Sequence, residues 1–147
     1  MIADKIEREI MIDAPVERVW TTLTSAEHLG KWFADSGAEI DLKPGGSLVL
    51  NWKEYGTSHG RIEKVESPHT FSYRWIIGSN HEPTEQNSTL VEFSLTPEGA
   101  GTRLRVVESG ILALEVEDRQ KYFEDHSGGW VHEISELRDY AQALVPA

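Results

Sequence analysis

Between residues 38 and 109 the sequence alternates: segment after segment puts large apolar side chains on one parity and polar ones on the other, and each ends in a short turn-like stretch. A period of two marks a strand with one buried and one wet face. AEIDL (38–42) stops at Pro44-Gly45-Gly46, and SLVLNWK (47–53) carries Leu48, Leu50 and Trp52 on one face. HGRIEKVE (59–66) runs to Ser67-Pro68-His69, and TFSYRWII (70–77) aligns Phe71, Tyr73, Trp75 and Ile77. After a polar loop, STLVEFSL (88–95) aligns Val91, Phe93 and Leu95, and TRLRVVES (102–109) points Leu104 and Val106 inward. Connections this short predict an antiparallel meander. A sheet with one apolar face must be covered, so the next question is what covers it.

The flanks supply a further strand and three helices. KIEREIMID (5–13) alternates through Ile6, Ile10 and Ile12 until Asp13-Ala14-Pro15 breaks it. Pro15 suits the first turn of a helix bearing Val16, Val19, Trp20 and Leu23, with acidic Glu17 near its start. Ser25 is placed to cap a second short helix, SAEHLGKWF (25–33), with Leu29, Trp32 and Phe33 on its apolar side. Near the C-terminus Trp130, Ile134, Leu137, Ala141 and Leu144 recur at helical steps and draw one stripe. This helix reads as opening at HSGGW (126–130), with Ser127 as cap and Gly128 and Gly129 allowing close passage of other backbone; a loop that ends in glycine before Trp130 is the plainer alternative. Residues 110–125 read as a loop with a partial helix. The expected fold is α+β: about seven antiparallel strands, two short helices after the first, and a long C-terminal helix as the only large amphipathic cover. A strongly twisted sheet wrapped around one helix leaves space between them.

A chain of 147 residues is expected to form a single domain, residues 1–147, with a core of its own. It has no cysteine, no apolar run of signal-peptide length at its N-terminus and no stretch long enough to span a membrane, so a cytoplasmic location is the expectation. A formal charge of −11 repels phosphate backbones and disfavours nucleic acid as a partner.

Sequence details in this order resemble the START-like SRPBCC superfamily, the helix-grip fold of the birch-pollen allergens. Within it the chain is most similar to the activator of heat-shock protein 90 ATPase homologue family. The landmarks are APVERVWTTLT (14–24), EHLGKWF (27–33), PGGSLVL (44–50), HGRIEKVESPHTFSYRW (59–75), GAGTRLRVVESG (99–110) and the GGW before the last helical stripe. The resemblance covers about residues 4–145. It implies a cavity between the concave face of the sheet and the last helix, where superfamily members bind lipids, sterols, polyketides or hormones and some catalyse cyclisation or dehydration. Fold alone leaves the function open.

Given that cavity, the parities nominate Trp52, Phe71, Tyr73, Trp75, Phe93 and Trp130 as its lining, with Trp32 and Phe33 near a mouth. Each of these aromatics could equally well fill the core. Two charges fall on apolar parities: Arg8, in Ile6-Arg8-Ile10-Ile12, and Glu108, after Leu104-Val106. The superfamily places the first and last strands side by side, so the two are expected to face one interior and pair as a polar anchor for a ligand, or else to sit solvated at the rim. His126 lies just before the expected last helix, with Tyr122 and Tyr73 as nearby donors, and His126, Tyr73 and Glu108 are the combination to inspect for acid–base work. HEISE (132–136) lacks the second histidine of a zinc-protease pair, no histidine cluster has metal-ligand spacing, and no phosphate-loop lysine follows either glycine pair. No metal and no cofactor are expected.

The leading expectation is a binding protein for an apolar or aromatic small molecule, including lipid-like ones. The alternatives are a cyclase or dehydratase using the same cavity, or a co-chaperone-like interaction module with an apolar patch among Ile111, Leu112, Leu114, Tyr122 and Phe123. A homodimer is compatible with the sequence.

Overall fold

Seven strands form one antiparallel sheet in the order β1-β7-β6-β5-β4-β3-β2. The computed structural model describes residues 3–54, 56–77 and 82–144. The strands are β1 (Lys5–Ile12), β2 (Ala38–Ile40), β3 (Ser47–Trp52), β4 (Gly56–Glu66), β5 (Thr70–Ile76), β6 (Ser88–Glu98) and β7 (Gly101–Ser109). Helices α1 (Val16–Thr24) and α2 (Ala26–Trp32) follow β1, a 3₁₀ turn spans Ile111–Ala113, and α3 (Arg119–Ala143) closes the fold. This is the antiparallel α+β architecture expected from the alternation, and the helix-grip arrangement that the family resemblance implies.

The register explains which side chains face inward. On β7, Thr102, Leu104, Val106 and Glu108 are fully buried, and on β1 Ile6 and Ile12 are buried with Arg8 and Ile10 half-buried beside them. The opposite face of this pair is charged and wet, with Arg105 bonded to Glu7 and Arg103 to Glu9 and Glu98. Such exposed pairs contribute little individually, but they keep that face polar. The β2–β3 connection depends on Gly46: a Cβ there would lie 2.0 Å from the Asp41 carbonyl oxygen. The other side chains of the turn are exposed, and its backbone is held by hydrogen bonds to Ile62.

Helix α3 covers the concave face through Trp130, Ile134, Leu137 and Ala141, the expected stripe. It differs from expectation at its start. Asp118 is the N-cap, its side chain accepting from the Lys121 amide, so the helix begins eight residues before Ser127 and HSGGW lies within it. Gly128 and Gly129 do not make room for other backbone: a Cβ on either meets nothing within 4 Å. Length and packing of the remaining turns outweigh a glycine cost of about 1 kcal/mol each, which local reading cannot weigh. Ser127 is no cap; its hydroxyl and carbonyl oxygens accept from the Arg8 guanidinium. The 110–125 segment resolves into the 3₁₀ turn, a link, and the first turns of α3.

Candidate functional site

The N-terminal half of α3 does not lie flat on the sheet. Between it and the ends of β3, β4 and β5 runs an open cleft of about 720 Å³. Trp52 ends β3 and is fixed by donation from Nε1 to the Phe33 carbonyl, 3.0 Å away, which ties it to the end of α2. Trp75, from β5, lies parallel to Trp52, with ring centroids 5.9 Å apart and planes 1° from parallel. Phe33 stands edge-on to both and stacks on Trp130 at 6.0 Å. Thr57 and Ser58 add hydroxyls from β4, and α3 contributes Lys121, Tyr122, Asp125, His126, Gly129, Trp130, His132 and Glu133.

Behind this wall lies the most unusual group of the interior. Glu108 has no exposed surface, yet it carries a carboxylate. Its Oε1 accepts from His126 Nδ1 at 2.8 Å and Trp130 Nε1 at 2.9 Å; its Oε2 accepts from the hydroxyls of Tyr122 and Thr89, each at 2.7 Å. Burial alone pushes such a carboxyl up, but these donors, His126 foremost, outweigh it and hold Glu108 below the ordinary carboxylate range. Burial and the Glu108 charge in turn push the Tyr122 phenol up, so that it remains a donor. Tyr122, His126 and Trp130 are spaced four apart on α3, which puts three of the four donors on one helix face. With Nδ1 committed to Glu108, the nitrogen of His126 left unengaged by the carboxylate is Nε2. The imidazole also stacks on Tyr122 at 3.9 Å and lies 5.4 Å from Trp75.

Among the described residues, two buried side-chain polar atoms are left over. The Glu133 Oε2 and the Tyr73 hydroxyl are buried and have no hydrogen-bond partner. Burial, then the charges of Glu136 and Asp35, push the Glu133 carboxyl up to about 7. Burial, then Glu108 and Glu133, push the Tyr73 phenol well above its usual value.

Of the residues nominated from sequence, Phe33, Trp52, Trp75 and Trp130 line the cleft. Trp32, Phe71, Tyr73 and Phe93 pack instead around a residual apolar gap of about 10 Å³ deeper in the core, which Phe33 also borders. Arg8 and Glu108 do face the interior, but they bond to different partners, and neither lines the cleft: Arg8 reaches Ser127, and Glu108 takes four other donors. Sequence reasoning did not nominate Asp125, His132 or Glu133, and it singled out Gly129 only for the helix start. Residues 122, 126, 129 and 133 share a helix face, a signal visible only once α3 is known to start at Arg119. Among the described residues no three His, Asp or Glu side chains converge as a metal site.

A family model described as Activator of Hsp90 ATPase homolog 1-like protein matches residues 13–142. The chain belongs to this family. No curated protein sequence matches it. Among solved structures, protein MLL2253 from Mesorhizobium loti superposes with a TM-score of 0.76 at 24% identity, over 96% of this chain and 99% of that one. The Aha1 dimer from Colwellia psychrerythraea gives 0.76 at 18% identity, over 97% and 98%. DynU16, a protein of the dynemicin biosynthetic locus, gives 0.75 at 18% identity over 97% of this chain; the chain spans only 48% of DynU16. At these identities the likeness is one of fold. This chain and these three proteins thus share the helix-grip frame.

Proposed function

We propose that this chain is a small-molecule binding protein whose ligand, apolar to amphipathic and aromatic in part, occupies the cleft between α3 and the ends of β3–β5. The observation that carries the reading is the convergence of Phe33, Trp52, Trp75 and Trp130 on one open space large enough for a drug-sized molecule. Aromatic faces with few polar groups suit flat ligands. The buried Glu108 network supports the reading by holding Trp130, Tyr122 and His126 in place before any ligand arrives. Preorganisation of this kind reduces the ordering cost of binding. The reading goes with a cytoplasmic protein working as one domain. Native mass spectrometry of freshly purified protein, followed by a thermal-shift screen of lipids, sterols and polycyclic aromatics, tests it. A ligand at a hundred times its Kd adds about 2.7 kcal/mol; a screen with no stabilising compound and no co-purifying mass refutes it.

One observation favours a second reading, an enzyme of cyclase or dehydratase type in the same cleft. A buried carboxylate orienting a cleft-lining imidazole is an arrangement suited to general acid–base work. Turnover that His126→Ala abolishes while ligand binding persists would establish it. The interaction-module reading has less support. Of the five residues named for such a patch, Ile111 and Leu114 are buried, Tyr122 and Phe123 are half-buried, and only Leu112 is exposed.

A further inference from the structure

The lining of the cleft is of two kinds, aromatic and charged. Phe33, Trp52, Trp75 and Trp130 present ring faces and edges, and ring faces attract cations. The charged side chains of its lining are Lys121, Asp125 and Glu133. Lys121 and Asp125 bond to each other at 2.8 Å near the rim, both largely exposed. Glu133 differs: one of its oxygens is cut off from solvent and accepts nothing. A carboxylate oxygen withdrawn from water without a donor is costly, and the charges acting on it here, Asp35 and Glu136, are of its own sign. The Tyr73 hydroxyl, buried and likewise unpartnered, lies close enough to feel the Glu133 charge. Glu133 thus brings a carboxylate with one unpartnered oxygen to the cleft, beside its aromatic wall.

We propose that the ligand of this cleft carries a protonated amine, seated on the Glu133 carboxylate, with its aromatic body against Trp52, Trp75 and Trp130. The inference rests on the cleft being the binding site and names the chemical class that occupies it. A cation answers several features together: it pairs with the Glu133 carboxylate, offsets the neighbouring Glu136 and Asp35 charges, and meets the electron-rich ring faces. A carboxylate ligand would add a further negative charge beside Glu133, and a neutral one would leave the local surplus uncorrected. Binding a cation also favours ionised Glu133. That carboxyl is held up to about 7, so amine binding at pH 7 releases up to about half a proton per molecule bound. The other titratable groups of the cleft, from α3, are Lys121, Tyr122, Asp125, His126 and His132, and the described β3–β5 residues of the lining add none.

The test uses three naphthalenes that differ only in the group they carry: 2-(aminomethyl)naphthalene, 2-naphthalenemethanol and 2-naphthoate. Affinities come from quenching of the cleft tryptophans and from calorimetry in two buffers of different ionisation enthalpy. The amine is expected to bind at least tenfold more tightly than the alcohol, the carboxylate least tightly, with proton release for the amine alone. Glu133→Gln should remove the amine's advantage and its proton release, and a urea transition with the parent's slope shows that the variant is folded. A carboxylate that binds as well as the amine, or an amine advantage that survives Glu133→Gln, overturns the inference. Trp75→Ala separates it from the reading beneath it. If the alcohol binds and Trp75→Ala weakens it, but the amine has no advantage, the amine is wrong and the cleft stands. If none of the three binds, or Trp75→Ala changes nothing, both fall.

Discussion

Replacing Gly128 and Gly129 with alanine should make this protein more stable. Both sit well inside α3, whose ends are Arg119 and Ala143, and each glycine there costs about 0.8–1 kcal/mol relative to alanine. Part of that gain arises in the unfolded chain, which alanine restricts. The usual reason for keeping such a glycine is a close neighbour, and none exists: a Cβ at either position meets nothing within 4 Å. The double variant should therefore gain about 1–2 kcal/mol. For a chain of this length that is a rise in Tm of roughly 2–8 °C, and in urea a higher midpoint at unchanged slope. The two positions differ in what else they touch. Gly129 lines the cleft and Gly128 does not, so Gly128→Ala should leave ligand affinity alone whereas Gly129→Ala adds a methyl group to the cleft wall. A double variant that is no more stable than the parent, or less so, would refute the reasoning, because it would mean that the space beside these glycines is occupied in solution or that the helix is interrupted there.

Further outcomes follow from the same structure. Glu108→Ala strands four donors around an empty buried site and should cost about 3–5 kcal/mol, read by urea unfolding; a loss under 1 kcal/mol would show that the network is not formed. Because the folded Glu108 carboxyl is held below its ordinary value, its contribution is present above about pH 4.5 and is lost as pH falls through the folded value, so Glu108→Gln should flatten the acid limb of a Tm-against-pH curve. Glu133 has the opposite sign. Its folded carboxyl is raised to about 7, so its ionisation costs stability progressively between about pH 4.5 and 7 and fully above that; after discounting for partial exposure, Glu133→Gln should gain roughly 1–2 kcal/mol at pH 8.5 and nothing near pH 4.5. Gly46→Ala should lower Tm, in contrast with Gly128 and Gly129, since its Cβ would strike the Asp41 carbonyl; an unchanged Tm would show that the turn relaxes freely.

What the sequence determined by itself was everything that depends on near neighbours. Ile6 and Ile12, Phe71 and Tyr73, and Leu104 and Val106 took the faces that their parity assigned, because a pleated backbone alternates whatever it packs against. Trp130, Ile134, Leu137 and Ala141 formed the covering stripe for the same local reason. Parity even marked Glu108 as a charge in the wrong place. Its partners were beyond that method: Thr89 comes from β6, and Tyr122, His126 and Trp130 come from α3, so only the packed fold brings four donors to one carboxylate. The HSGGW motif shows the boundary most sharply. Two glycines in a row look like the end of a loop, since propensity is a local and modest preference, but a 25-residue helix anchored at Asp118 and packed through four buried side chains carries them along. Where α3 starts decides which side chains face the open end of the sheet. The division between a filled core and a cleft lined in part by Glu133 was thus settled by tertiary packing, because it depends on which α3 side chains meet the sheet and which face the open space.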